Sequence, residues 1–94
     1  MCLNLPIMIS AHERSDLIHI MKMNRFTLTD SDTAQLEFSG EVKGKDYRII
    51  ILVVEDLPQI SIKQDGEVVF EDTVKSVDDL KIFLEERLYK YLGA

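Results

Sequence analysis

Residues 47–54, which read Tyr47, Arg48, Ile49, Ile50, Ile51, Leu52, Val53 and Val54, constrain the fold of this chain more than any other stretch. β-branched and aromatic side chains at this density favour a strand, and a strand sends successive side chains to opposite faces. Tyr47, Ile49, Ile51 and Val53 therefore share one face, while Ile50, Leu52 and Val54 share the other. A strand that is apolar on both sides belongs inside a sheet, and each of its faces needs a cover. Burying one such side chain contributes about 1.5–3 kcal/mol. The second trio together thus rivals the whole stability of a domain this size, about 5–10 kcal/mol.

The flanking residues supply the rest of an antiparallel sheet. Leu36, Phe38 and Val42 alternate with Glu37, Ser39 and Glu41, which is the pattern of a half-buried strand. Lys43, Gly44, Lys45 and Asp46 read as a type II′ turn with Gly44 at the position that needs positive φ. That turn pairs Val42 with Tyr47, Phe38 with Ile51 and Leu36 with Val53, and sets Glu41 beside Arg48. Downstream, a two-residue turn at Asp65 and Gly66 would set Ile60 against Glu71 and mix the faces. A three-residue loop of Gln64, Asp65 and Gly66 with an adjoining bulge pairs Ile62 with Val68 and Ile60 with Phe70 instead, and is the expected arrangement. Four strands result, or five if the alternation around Phe26 and Leu28 joins the sheet.

Helices are expected at both ends. Ser76 and Asp79 have capping spacing, and Val77, Leu80, Phe83, Leu84, Leu88, Tyr91 and Leu92 form a stripe broad enough to cover one sheet face; Gly93 is placed to end that helix. Ser10 and Glu13 repeat the capping spacing before a helix over residues 11–23, whose stripe is Leu17, Ile20 and Met21. A short edge strand is expected before it, around Leu3, Leu5, Ile7 and Ile9, with Pro6 confining it to an edge. The expected fold is α+β: an antiparallel meander with the C-terminal helix on one face and the N-terminal helix or segment covering the other. A single domain spans residues 1–94, divided into an N-terminal extension (1–24), the sheet (25–75) and the C-terminal helix (76–93).

Function is read largely by exclusion. The formal net charge of −6 repels phosphates and argues against direct nucleic-acid binding through counterion release, even though a meander followed by a helix also occurs in some single-strand-binding modules. One cysteine, Cys2, permits no intramolecular disulfide, and the opening residues lack a basic region ahead of their apolar run; a cytoplasmic protein that does not engage membranes is the expectation. His12, Asp16 and His19 fall on one helix face but lack further ligands to complete a metal shell. Asp30 and Asp32 begin like a calcium loop that Ala34 interrupts. No phosphate loop, nucleophile elbow or cofactor motif is present, so a non-catalytic role without cofactor or metal is expected.

Two binding readings follow. In the first, Ile50, Leu52 and Val54, with Val69, form an apolar strip with polar borders that docks a second copy of the chain, as a homodimer, or another regulatory partner. In the second, Glu55, Asp56, Glu67, Glu71 and Asp72 form an acidic rim that imitates the phosphate spacing of nucleic acid and occupies the basic groove of a nucleic-acid-binding protein.

Overall fold

The computed structural model describes residues 11–32, 35–54 and 57–92. The strand expected within residues 3–9, the Ser10 cap and the Gly93 stop lie outside the described residues. In chain order the elements are α1 (Ala11–Met23), β1 (Thr27–Ser31), β2 (Gln35–Val42), β3 (Lys45–Val54), β4 (Leu57–Gln64), β5 (Glu67–Thr73) and α2 (Val77–Glu86), followed by a 3₁₀ turn at Leu88–Tyr91. The strands form one antiparallel sheet in the order β1-β2-β3-β4-β5, so the stretch around Leu28 does join as an edge strand and β3 lies at the centre.

Turn chemistry corrects both expected registers. Lys43 and Gly44 both have positive φ, 53° and 79°, which is the signature of a two-residue type I′ turn whose twist matches the flanking strands. Val42 consequently pairs with Lys45, and Phe38 and Leu36 pair with Ile49 and Ile51, two residues away from the expected partners. A slip of two leaves every side chain on its own face, so the core residues are unchanged. In the second hairpin Asp65 and Gly66 also form a two-residue turn, with φ of 50° and 90°, and Gln64 pairs with Glu67. The bulge lies in β5 instead, where Lys63 pairs with Val68 but Ile62 pairs with Phe70. Val69 is the extra residue, and it restores the alternation that the short turn would have broken.

Helix ends follow their local chemistry. The Ser76 hydroxyl accepts from the Asp79 amide at 3.1 Å, as the spacing predicted. At the end of α1, Arg25 takes positive φ and the Phe26 amide reaches back to the Met21 carbonyl at 2.9 Å, closing the helix in a Schellman-like turn. That turn drops the buried Phe26 ring over Gly40. A Cβ at Gly40 would meet the ring and the Arg25 carbonyl at 3.1 Å, so the strand leaves room there for the aromatic.

The N-terminal helix does not take the far side of the sheet, and the N-terminal segment expected there as the alternative cover lies outside the described residues. Leu17 and Met21 of α1 are fully buried in the same cluster as Leu80, Phe83 and Leu84 of α2, over Leu36, Phe38, Ile49, Ile51, Ile60 and Ile62 of the sheet. Both helices therefore pack on one face, and Asp16 of α1 accepts a hydrogen bond from Lys81 of α2 at 2.9 Å. The reason is width. Strands about 4.8 Å apart make a five-stranded sheet about 19 Å across, whereas a helix with its side chains is about 10 Å wide. One helix covers half of such a face, and the apolar layer needs two.

Leu17→Ala should therefore destabilise the protein about as much as Ile51→Ala, each by about 2–5 kcal/mol in urea titration. A loss under about 1 kcal/mol for Leu17→Ala, with the Ile51→Ala loss intact, would remove α1 from the core.

Candidate functional site

The face opposite the helices is built in rows, because antiparallel pairing sets outward side chains side by side across neighbouring strands. Nearest the hairpin tips, Ser39, Arg48 and Lys63 stand abreast on β2, β3 and β4; Thr27 lies beyond Ser39 and Val68 beyond Lys63. The next row is Glu37, Ile50, Ser61 and Glu71, and the third is Gln35, Leu52, Gln59 and Thr73. Ile50 and Leu52 are half-buried between these polar neighbours. Among the described residues no helix or strand packs over them, since both helices belong to the core on the other side.

The polar members of the rows satisfy one another. Thr29 donates to Glu37 Oε2 at 3.3 Å, Arg48 Nε lies 3.5 Å from the same oxygen, and Ser61 donates to Glu71 Oε2 at 2.9 Å. At the tips, Ser39, Gly40, Arg48, Lys63 and Asp65 border a concavity of about 740 Å³. The two tips are tied by a reciprocal pair of bonds: the Asp65 amide donates to the Asp46 carbonyl at 2.8 Å, and the Asp46 amide donates to Asp65 Oδ1 at 3.1 Å. The face is thus a polar sheet surface with an apolar ridge of two residues and adjoining basic and acidic rows.

The structure places the residues expected to bind as follows. Ile50 and Leu52 share the open face, and Val69 is the exposed bulge residue of β5 on the outer edge. The Val54 side chain, Glu55 and Asp56 lie outside the described residues. Glu67, Glu71 and Asp72 are strung along β5; Glu71 lies in the open-face row opposite Ser61, whereas Asp72 pairs with Ile60, whose side chain is in the core. Glu37, Ser39, Ser61 and Lys63 are the polar borders that strand alternation leads one to expect, and the observed register sets Arg48 beside Ser39 rather than Glu41. A groove between β5 and α2, walled by Phe70, Phe83 and Tyr91, was also missed; its residues are distant in sequence and only the fold unites them.

Asp16, taken together with His12 and His19 as an incomplete ligand set, has a structural partner. Its carboxylate binds Lys81, with His12 3.6 Å away on the exposed side, and among the described residues no group of three or more His, Cys, Asp or Glu side chains is arranged to hold a metal ion. No described helix is long and apolar enough to cross a membrane. No protein-family model matches the chain, and comparison with curated proteins and with solved structures found no match. The described residues form an α+β arrangement of two layers, with a sheet surface of mixed polarity on the side away from the helices.

The hydrogen bond from Lys81 holds the Asp16 carboxyl below its ordinary value of 3.8, and the same bond raises the Lys81 ammonium above 10.5. A carboxyl depressed on folding contributes stability above its unfolded pKa that is lost as pH falls through the folded one. A raised ammonium contributes stability that is lost as pH rises through its folded value. Asp16→Asn should be less stable than the wild type between those limits, with the gap closing below pH 3.8 and above pH 10.5. Thermal melts across pH check this, and a gap independent of pH would show that the pair does not couple the helices electrostatically.

Proposed function

We propose that the chain is a small non-catalytic protein-interaction module that associates with a second copy of itself through the helix-free face of its sheet, centred on Ile50 and Leu52. The observation that supports this reading is the placement of α1 and α2 on one side of the sheet, which leaves the ridge of β3 without a packing element among the described residues. Adding a second sheet face would remove both side chains from water, worth up to about 1.5–3 kcal/mol for each one fully buried.

A second copy suits the face because of the order of its rows. Arg48 and Lys63 stand one row from Glu37 and Glu71. A two-fold axis that crosses β3 between Ile50 and Leu52 sets Ile50 of each copy against Leu52 of the other, with the charged side chains on the flanks of the contact. The reading as a nucleic-acid mimic asks instead for carboxylates gathered on one surface. Alternation along β5 sends Glu71 and Asp72 to opposite faces, and this favours the sheet face over the rim.

Sedimentation of the wild type should give twice the chain mass at high concentration and the single-chain mass on dilution. Leu52→Lys should return the single-chain mass with an unchanged circular-dichroism spectrum. A wild type that keeps the single-chain mass at every concentration, or a folded Leu52→Lys that keeps the double mass, would refute self-association through this face.

A further inference from the structure

The edge of the sheet at β5 borders the open face. Glu67, Val68, Val69, Glu71, Asp72 and Thr73 are all exposed along it, and Phe70 is partly buried. The Val74 amide bonds the Pro58 carbonyl at 2.9 Å, which sets the phase of the ladder. Asp72 and Phe70 turn their amides toward β4, and Glu71 and Thr73 turn theirs outward. The outward Thr73 amide donates to Asp72 Oδ1 at 2.8 Å. That carboxylate oxygen occupies the place a carbonyl of a sixth strand would take.

Beside this edge, β5 and α2 border a groove of about 440 Å³. Its floor is three mutually packed rings: Phe70 and Phe83 have centroids 5.2 Å apart, Phe70 and Tyr91 4.5 Å, and Phe83 and Tyr91 5.9 Å. Ile82, 47% exposed, forms part of the wall; Asp72 and Asp79 lie among the lining residues, as do Lys75 and Arg87. The opposite edge is different. On β1 the Ser31 amide likewise donates to Asp30 Oδ1 at 2.9 Å, but Arg14 of α1 also bonds the Ser31 hydroxyl, so a helix side chain already attends that strand.

We propose that β5 takes up a basic extended segment of a partner protein as a sixth strand, with an apolar side chain seated in the groove of Phe70, Ile82 and Tyr91 and a cation beside Asp72. The preference for a basic segment comes from Asp72. An incoming carbonyl must displace its carboxylate from the Thr73 amide, and the freed, exposed carboxylate either turns to water or pairs with a cation. Lys or Arg on the added strand supplies one through a charge-assisted bond; a neutral strand does not. Glu67, Glu71 and Asp72 also repel the β5 of a second copy, which selects a partner of opposite charge over self-pairing at this edge. The edge shares the side chains of Val68, Glu71 and Thr73 with the self-association face but offers backbone amides in the plane of the sheet, and neither proposal depends on the other.

The test uses the full chain and a synthetic peptide of about ten residues, the length of a long strand, that alternates Val and Lys. Counterparts alternating Val with Glu or with Thr serve as controls. Amide spectra should show the Lys peptide shifting Glu71 and Thr73 and slowing their exchange, with binding weakened by salt and absent for the Glu peptide. Thr73→Pro removes the outward amide at a place where an edge strand tolerates proline, and should bind at least about tenfold more weakly, the equivalent of one lost hydrogen bond. Ile82→Asp, which alters only the exposed groove wall, should weaken binding similarly and serves if Thr73→Pro does not fold. Asp72→Ala should erase the preference for the Lys peptide over the Thr peptide. The proposal is overturned by no binding at millimolar peptide, by equal binding of the Glu peptide, by shifts confined to Ile50 and Leu52, or by unchanged affinity in a folded Thr73→Pro or Ile82→Asp.

Discussion

The burial of Ile49 and Ile51 at the centre of β3, beneath two helices at once, is the contact on which the remaining structure depends. Each heads a row of the inner face: Phe38, Ile49, Ile62 and Phe70 in one, Leu36, Ile51 and Ile60 in the next. Together they make an apolar layer wider than one helix. Leu80, Phe83 and Leu84 of α2 cover part of it, and Leu17 and Met21 of α1 complete the cover. Closing the inner face thus commits α1 to that side. That the outer face carries no helix among the described residues is a consequence of the core's width rather than a separate device.

Much of this architecture is legible from alternation alone. Periodicity assigns Tyr47, Ile49 and Ile51 to one face and Ile50 and Leu52 to the other, and it survives an error in register because a slip of two residues preserves both sets. The pairings themselves depend on turn geometry. Lys43 and Asp65 adopt positive φ although neither is glycine, and the strain is accepted because a type I′ turn matches the twist of the strands it joins. The face chosen by α1 was not legible. Leu17 and Met21 announce an apolar stripe without saying what it meets, and the Asp16 to Lys81 bond joins residues 65 positions apart. The candidate face is readable to the same depth: Ile50 and Leu52 follow from local pattern, whereas the rows that pair Glu37 with Arg48 and Ser61 with Glu71 exist only once the strands are in register.

The polar rows explain how such a face can meet water and still favour a partner. Glu37 is bonded by Thr29 and lies against Arg48, and Glu71 is bonded by Ser61, so the charged groups flanking Ile50 enter a contact already partnered. Each carboxylate already has one oxygen bonded, which lowers the penalty of closing the face. The apolar gain from two residues is also small. Under the proposed self-association, a balance of two modest terms would give a contact that responds to concentration, in contrast to an obligate interface built like a core.

The two edges resolve the same hazard by one chemical device and differ in what lies beside it. Outward amides on an edge strand invite uncontrolled pairing. On β1 and on β5 an aspartate carboxylate accepts the next residue's amide and so occupies the position of a neighbouring carbonyl. At β1 the arrangement is closed by Arg14. At β5 it faces an aromatic groove and a line of acids, so the same carboxylate that deters an acidic or neutral strand rewards a basic one. Stacking on the open face and strand addition at β5 run along perpendicular directions, one normal to the sheet and one in its plane. A pair of chains joined by their faces therefore presents two such edges, and a partner with two basic segments would gain from the raised effective concentration of the second.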